Sequence, residues 1–196
     1  KDKKTINYYE TNADIFIENT ADANMSEAHQ RFRKYLPMGS SVLDAGCGSG
    51  RDSLAFLELG YQVVSMDASI EMCKATEALT GQKALCLSFA EIKFQNDFDG
   101  IWACASLLHI DENNLPIVLN KLVKTLKQNG IFYASWKYGE FERVDGERFY
   151  CDLNEERLQK FISDIGALKI LECWISDDVL KHRREQKWLN VIMKKE

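Results

Sequence analysis

Short apolar runs alternate with amphipathic segments through the middle of this chain. Runs rich in valine, isoleucine and alanine have the length of buried strands, and they cover residues 41–45, 61–66, 83–87, 99–105 and 131–136. Apolar residues recur at helical spacing between and after these runs, which predicts helices over residues 50–59, 70–80, from 114 or 115 to a stop at Asn129–Gly130, and 154–165. Strands that alternate with helices favour a parallel sheet with helices on both faces. The pattern therefore predicts an α/β fold of the doubly wound type.

Both ends of the chain add to this core. Residues 5–19 and 24–36 have helical periodicity and precede the first strand, and Pro37 and Gly39 are expected to end the second of these helices. Near the other end, residues 168–175 and 187–193 are apolar and rich in β-formers, which predicts an antiparallel pair of strands. Residues 137–150 are polar, aromatic and interrupted by glycine, so we predict a loop there.

A glycine turn links the first strand to its helix. Gly46, Gly48 and Gly50 occupy every second position after Asp44. Glycine is needed where the backbone takes a positive φ or closely approaches a ligand, and the helix that follows favours an electron-rich group at its N-terminus. A dinucleotide-binding GxGxxG turn would place its third glycine where this chain has Arg51. The turn thus indicates a ligand site that differs from the dinucleotide fingerprint.

An acid follows at the end of the second strand. Asp67 comes about 20 residues after the turn, where a carboxylate can accept both hydroxyls of a ribose. The phosphate loop of another doubly wound domain remains an alternative explanation of the glycines. That alternative requires the combination of Asp44, the closely spaced glycines and Asp67 to be coincidental.

The segment VLDAGCGSG resembles the first motif of class I S-adenosylmethionine (SAM)-dependent methyltransferases, and residues 98–109 resemble their fourth motif. The resemblance implies a Rossmann-like sheet of seven strands in the order 3-2-1-4-5-7-6, with the last strand antiparallel. It implies a single methyltransferase domain over residues 1–196, in which residues 40–193 form the SAM-binding core and residues 1–38 form a helical lid.

The resemblance also implies which residues bind SAM, the predicted cofactor. They are Asp44, Ala45, Gly46, Cys47, Gly48, Gly50, Arg51, Asp67, Ala68, Ser69, Ser88, Phe89, Ala90, Ala103, Cys104 and Ala105. The family usually has an acid near position 88 or 89 that binds the adenine amino group. Here the first acid is Glu91, so backbone groups around Phe89 and Ala90 are expected to bind the adenine instead.

The expected acceptor site lies beside the fourth and fifth strands. His109 is the candidate catalytic base, since His29 and His182 lie in peripheral segments. Lys137, Arg143 and Arg148 are suited to a carboxylate or phosphate, although nearby glutamates would partly cancel their charge. A solvated charged loop is the alternative. The residues expected to bind the substrate are Tyr8, Tyr9, His109, Trp136, Lys137, Tyr138, Arg143 and Arg148.

Composition limits the possible partners. The net charge of −5 argues against a nucleic-acid partner, which usually requires a basic face. The six cysteines form no CxxC pair and no cysteine–histidine cluster, so we expect reduced thiols and no metal. No apolar run is long enough for a membrane span and the N-terminal residues lack an apolar signal core, which makes the cytoplasm the expected location. A monomer or a homodimer is expected.

The predicted reaction is an in-line SN2 transfer of a methyl group, by alignment, to a small molecule. The acceptor atom stays open among oxygen, nitrogen, sulfur and a heavier chalcogen, since the chain also resembles small methyltransferases grouped with tellurite-resistance proteins. Two alternatives remain: a nucleic-acid or protein methyltransferase, and a SAM-binding domain without catalysis. The chain lacks the Pro-Pro-aromatic sequence of amino-group methyltransferases of bases, and Cys104 lacks the preceding proline of a carbon-5 nucleophile.

Overall fold

A seven-stranded sheet forms the centre of the computed structural model, which describes residues 2–20, 23–180 and 185–196. The strands of this sheet are β1 (Ser41–Ala45), β2 (Gln62–Asp67), β3 (Ala84–Cys86), β4 (Phe98–Ala103), β5 (Leu126–Lys137), β8 (Leu168–Asp177) and β9 (Lys187–Lys195). Their spatial order is β3-β2-β1-β4-β5-β9-β8. Strands β1 to β5 are parallel, and β9 runs antiparallel to both β5 and β8. The predicted order is confirmed, because β8 and β9 are the predicted sixth and seventh strands.

Helices cover the two faces of the sheet and precede its first strand. They are α1 (Asp2–Thr11), α2 (Ala13–Thr20), α3 (Ser26–Arg33), α4 (Arg51–Glu58), α5 (Ile70–Thr80), α6 (Leu115–Thr125) and α7 (Glu155–Ile165). Side chains cap two of them: Ser69 Oγ accepts the Met72 N–H, and Asn154 Oδ1 accepts the Arg157 N–H. No helix in the described part of the chain is long and apolar enough to cross a membrane.

The central strands are buried on both faces. Along β5, Tyr133 packs with Phe32 of α3 and Phe56 of α4, whereas the adjacent Phe132 belongs to the core on the α6 and α7 side. The Tyr133 ring stacks on Trp102 of β4 at a centroid distance of 3.9 Å. Because side chains alternate between the faces of a strand, this burial explains why the central strands are continuously apolar in sequence.

The segment predicted as a loop, residues 137–150, is largely ordered as strand. Lys137 ends β5, and β6 (Glu142–Asp145) and β7 (Arg148–Cys151) form a separate antiparallel hairpin. Gly146, at φ +61°, takes the left-handed backbone conformation in its two-residue turn. The loop prediction was wrong because a glycine-containing turn between two short alternating runs is itself a hairpin signal.

Three predicted helices differ from the structure by more than one residue at an end, and β5 begins at Leu126 rather than at residue 131. The helix predicted over residues 5–19 is two helices that meet near Asn12, and the helix predicted over 24–36 is the shorter α3. Helix α6 ends at Thr125, so the Asn129–Gly130 pair predicted to end it lies inside β5. His182, predicted to be peripheral, and part of the predicted link between the last two strands lie outside the described residues.

A buried acid ends the central strand β1. Asp44 is only 2% exposed, and its Oδ2 accepts the Ser53 hydroxyl at 2.6 Å. Burial, together with the nearby negative charge of Asp52, raises the pKa of Asp44 to about 8. Asp44 is therefore mostly protonated at neutral pH in the folded protein and ionised in the unfolded chain.

The protonated Asp44 makes stability depend on pH. Between its ordinary pKa of 3.8 and about 8, the folded state binds the proton that the unfolded state has lost, so this contribution to stability falls as pH rises. We expect Asp44→Asn to gain stability relative to wild type over this range by up to about 1.4 kcal/mol per pH unit. Denaturant unfolding at pH 5, 6 and 7 measures this difference. Asp164→Asn, on the exposed surface of α7, is the control. If the free energies of unfolding of Asp44→Asn and wild type changed with pH by the same amount, Asp44 would not be protonated in the folded protein.

Candidate active site

A cavity of about 980 Å³ opens at the carboxyl ends of the central strands. Its walls include the glycine turn after β1, the end of β2, the segments that follow β3 and β4, and the end of β5. Residues of helices α1 to α6 and of strands β7, β8 and β9 also line it. Strand order reverses between β1 and β4, and ligands of open α/β sheets bind at such a switch point.

The glycine turn is held by contacts that no larger residue at its first position would permit. Gly46 has φ +87°, and a Cβ built there would approach the Ser106 Cβ to 2.3 Å. Ser106, in the segment after β4, donates its hydroxyl to the Ala45 carbonyl at 2.6 Å. The N–H groups of Gly46 and Cys47 both donate to the Met66 carbonyl of β2. The turn is thereby fixed between its two neighbouring strands.

Asp67 presents a half-buried carboxylate at the end of β2. Its Oδ2 accepts the Gly48 N–H at 3.0 Å, and its Oδ1 accepts the Ser69 N–H at 2.9 Å. Burial raises its pKa, while these backbone N–H donors oppose the rise. Each carboxylate oxygen has further lone pairs, so Asp67 can still accept hydroxyl donors from the cavity side. This donor and acceptor set fits the two hydroxyls of a ribose.

A network of charged and aromatic side chains surrounds Asp52 at the start of α4, directly after the glycine turn. Arg51 donates Nε–H and Nη2–H to the two oxygens of Asp52, and the Trp102 indole N–H donates to Oδ2 at 2.9 Å. The His29 ring of α3 lies 3.0 Å from Oδ1. Burial alone would raise the pKa of Asp52, but its bonds with His29 and Arg51 hold it well below the ordinary value. His29, predicted to be peripheral, therefore joins α3 to the glycine turn.

His109 lies on the opposite wall in a defined tautomer. Its Nδ1 is 2.7 Å from the Phe149 carbonyl oxygen, which can only accept, so Nδ1 carries the proton. Burial lowers the pKa of His109 to about 4, so the ring is neutral at pH 7. The neutral Nε2 is then the acceptor for the Tyr9 hydroxyl of α1 at 2.9 Å. Burial also raises the pKa of Tyr9, which keeps that hydroxyl protonated.

Three cations surround the ring of Tyr150 on β7. The Lys137 Nζ lies 4.1 Å from the ring centroid, and the Arg143 and Arg148 Cζ atoms lie at 4.7 and 5.5 Å. The Arg143 Nε lies 2.7 Å from the Asp152 Oδ2, and the Arg143 Nη1 lies 3.8 Å from the Asp145 Oδ2. Lys137 and Arg148 line the cavity, and Arg143 does not.

The cavity brings together twelve of the residues predicted to contact the cofactor. They are Gly46, Cys47, Gly48, Arg51, Asp67, Ala68, Ser69, Ser88, Phe89, Ala90, Cys104 and Ala105. The other four, Asp44, Ala45, Gly50 and Ala103, are buried behind the wall. The contact of these four residues with the cofactor stays a prediction, and their burial also lets them support the turn and the strands that carry it.

The predicted substrate residues divide in the same way. Tyr9, His109, Lys137 and Arg148 line the cavity. Trp136 is fully buried in the core, because it lies on the face of β5 opposite to that of its cavity-lining neighbours Ser135 and Lys137. The remaining three residues, Tyr8, Tyr138 and Arg143, lie outside the wall, and Tyr138 instead bonds to Glu155. The predicted contact of Trp136 with a substrate is corrected, because its side chain is fully buried. The predicted contacts of Tyr8, Tyr138 and Arg143 stay predictions.

Several wall residues had no sequence signal strong enough to single them out. Asp52 and Ser106 flank motifs that were recognised, yet their roles depend on partners more than 45 residues away, Trp102 and Ala45. Ser135 accepts the Ala105 N–H at 2.9 Å and so holds Ala105 at φ +51°. The alternation of side chains along β5 could have identified Ser135, because it shares a face with Tyr133 and Lys137. In the described ranges, no group of three or more metal-binding side chains is present.

Comparison with known proteins agrees with this geometry. Residues 43–134 match the family described as a methyltransferase domain. A 1,6-didemethyltoxoflavin-N1-methyltransferase of Burkholderia thailandensis, crystallised with its substrate and S-adenosylhomocysteine, superposes with a TM-score of 0.77 at 20% identity, covering 97% of this chain and 84% of that one. The magnesium protoporphyrin IX methyltransferase of Synechocystis, crystallised with SAM, gives 0.75 at 16% identity, covering 100% and 98%.

A curated relative is similar in sequence over a shorter stretch. The cypemycin N-terminal methyltransferase of a Streptomyces species is 28% identical over 115 residues, which are 56% of this chain and 47% of that protein. The chain thus spans about half the length of this relative. Residues 43–134, which include the glycine turn and Asp67, thus match a methyltransferase domain, and the fold is similar to that of solved SAM-dependent methyltransferases.

Proposed function

We propose that this enzyme methylates a small molecule enclosed beneath helix α1. The observation that carries this proposal is the set of hydrogen bonds made by α1. Thr5 Oγ1 accepts the Phe149 N–H of β7 at 3.2 Å, the Tyr9 hydroxyl bonds to His109, and a Glu10 carboxylate oxygen accepts the Ile70 N–H of α5 at 2.6 Å. These bonds tie α1 to three separate elements around the cavity: β7, the segment after β4, and α5. A polymeric substrate would have to displace α1, whereas a small molecule fits beneath it.

This arrangement supports the assignment of residues 1–38 as the lid of one methyltransferase domain. Phe16 of α2 also lines the cavity, and its ring packs edge-on against Tyr9 at 5.1 Å. The two helices therefore bring one aromatic cluster to the cavity. We keep the cytoplasm as the expected location, and a monomer or homodimer as the expected state.

We assign the cofactor to the part of the cavity between the glycine turn and Phe89. Asp67 would accept the ribose hydroxyls, and the backbone around Ala68, Phe89 and Ala90 would surround the adenine. The glycine turn together with Cys104 and Ala105 would hold the methionine part. When bound, SAM supplies an activated methyl group on a sulfonium. The contribution of the protein is to align an acceptor with that methyl group and to exclude water from the site.

The acceptor is assigned to the remaining wall, where Tyr9 and His109 provide a route for a proton. If the acceptor is a neutral oxygen or nitrogen, its proton can pass to the Tyr9 oxygen while the Tyr9 proton moves to His109 Nε2. The bond from Nδ1–H to the Phe149 carbonyl orients the ring and would stabilise the resulting imidazolium. A thiol or an anionic nucleophile would not need this route.

The names of similar proteins support the small-molecule class without choosing its atom. Toxoflavin precursors and a magnesium porphyrin are small acceptors, whereas cypemycin methylation is named for an N-terminus. Acceptors with oxygen, nitrogen, sulfur or a heavier chalcogen therefore all belong in the first screen. Release of S-adenosylhomocysteine in that screen separates an enzyme from a domain that only binds SAM.

Replacing Asp67 tests the cofactor site. We expect wild type to bind SAM and S-adenosylhomocysteine in calorimetric titration, and Asp67→Ala to weaken both by about 1–3 kcal/mol through the lost charged hydrogen bonds. Asp97→Ala, which changes an exposed acid before β4, should bind like wild type. Equal affinities for the Asp67 and Asp97 variants would remove Asp67 from the site, and no binding to folded wild type would contradict the proposed function.

Replacing His109 tests the proton route. In His109→Gln, an amide can keep one donor to Phe149 and one acceptor for Tyr9, but it cannot take a proton. With a neutral acceptor found by the screen, we expect kcat to fall by about 100-fold or more, with SAM affinity unchanged. Asn190→Gln, at another position of the cavity wall, controls for a general disturbance. An unchanged kcat for His109→Gln would reduce His109 to a residue that positions Tyr9.

A further inference from the structure

Lys137 and Arg148 bring two positive charges to the acceptor wall. Lys137 lies at the end of β5 and Arg148 at the start of β7, and both side chains stand within 5.5 Å of the Tyr150 ring centroid. Among the described residues, neither forms an ion pair with a carboxylate within 4.0 Å. Both line the cavity beside Tyr9 and His109. At the place assigned to the acceptor, these two cations thus have no carboxylate in direct contact within the described part of the chain.

Arg143 contacts the same ring, but its charge is neutralised by a carboxylate. It lies 4.7 Å from the Tyr150 centroid, as close as its neighbours, but Asp152 accepts its Nε–H at 2.7 Å. Arg143 also stays outside the cavity wall. The carboxylate of Asp152 therefore neutralises the charge of Arg143, whereas Lys137 and Arg148 have no carboxylate in the same position.

Holding these cations together costs free energy that the protein itself does not recover. Burial lowers the pKa of Lys137, and the positive charges of Arg143 and Arg148 lower it further. The Arg148 Nε is buried and has no hydrogen-bond partner within the described part of the chain. A buried donor without a partner costs about 1–3 kcal/mol, and contact with the aromatic rings of Tyr8 and Tyr150 only partly compensates a desolvated cation. An anion in the cavity would satisfy both groups.

We propose that Lys137 and Arg148 form a binding site for an anionic oxygen group, a carboxylate or a phosphate, carried by the methyl acceptor. The guanidinium of Arg148 offers a planar pair of donors, and Lys137 adds a compact charge beside it. This inference rests on the proposed function, because it assigns the ligand to the acceptor side of the cavity. The anionic group would be held next to the Tyr9 hydroxyl and His109.

The position of the anion would also affect the proton route. Burial is the main cause of the low pKa of His109, but the charges of Arg148 and Lys137 lower it further. A bound anion would cancel those charges and move the pKa of His109 back toward its ordinary value. The base would then become stronger when the acceptor is in place and not before.

The test is titration of the protein saturated with S-adenosylhomocysteine, which keeps the carboxylate of the cofactor from being the ligand observed. The probes are sodium benzoate, inorganic phosphate and the neutral benzamide, at constant ionic strength in chloride. We expect one of the two anions to bind, and benzamide to bind at least roughly 10-fold more weakly. Preference for benzoate indicates a carboxylate acceptor, and preference for phosphate indicates a phosphorylated one.

Strand β5 supplies a matched pair of variants. Lys137→Met should weaken anion binding by about 10-fold or more. Lys127→Met removes the same charge from the same strand, but its lysine pairs with Asp99 outside the cavity, and it should bind like wild type. Arg148→Met should weaken anion binding like Lys137→Met. If Arg148→Met fails to fold, the comparison of Lys137→Met with Lys127→Met still tests the anion site.

Two results would overturn the anion site: no anion binding by wild type, or equal binding by Lys137→Met and Lys127→Met. Failure of S-adenosylhomocysteine to bind would contradict the proposed function and not this site. In that case the same titrations on the cofactor-free protein decide whether the two cations bind an anion.

Discussion

The buried carboxylate of Asp52 joins the parts of this molecule that must meet at the site. It accepts hydrogen bonds from Arg51 at the start of α4 and from the Trp102 indole of β4, and it contacts His29 of α3. Removing one partner from a buried charge network costs about 3–5 kcal/mol, because the charge that remains is desolvated and unpaired. The glycine turn, the central strand and an N-terminal helix therefore share one electrostatic anchor. Packing alone would allow these elements to shift against one another, whereas the donors around Asp52 fix their register.

On the other side of the cavity, one hydrogen bond has two consequences. The bond from Tyr9 to His109 attaches α1 to the segment after β4, and it also occupies the only basic nitrogen of the ring. In the proposed function, the same bond would hold α1 over the cavity and cover the base. An acceptor beneath α1 would then meet the Tyr9 oxygen before the imidazole, and Tyr9 would both hold the helix in place and pass on the proton.

The sequence was informative where local chemistry determines structure, and less so where distant strands meet. Alternating strand and helix patterns predicted a doubly wound sheet, and the resemblance to class I methyltransferases implied the order of its strands. The glycines with Asp67 predicted a ligand site at the first turn, because backbone strain and burial restrict which residues occur there. The hairpin of β6 and β7 was missed, since polar residues on an isolated hairpin resemble a loop. Trp136 was assigned to the substrate, although the period of two along β5 places Lys137 and Trp136 on opposite faces. Arg143 was assigned to the substrate as well, but it pairs with Asp152. That ion pair depends on the register of the hairpin, which the composition of the segment does not reveal.

The distribution of charge over the cavity argues for a directional site. Near the glycine turn, Asp44 is neutral at pH 7 because its pKa is about 8, and Asp52 is compensated by Arg51. Asp67 is then the carboxylate left to face a ligand at that end. At the other end, Lys137 and Arg148 have no carboxylate within 4.0 Å among the described residues. In the proposed function, the cavity would be negative where the nucleoside of SAM binds and positive where the acceptor binds, which would favour one orientation of the ligands. An anionic group on the acceptor, held by these two fixed cations, would then place the acceptor atom in line with the methyl group that SAM supplies.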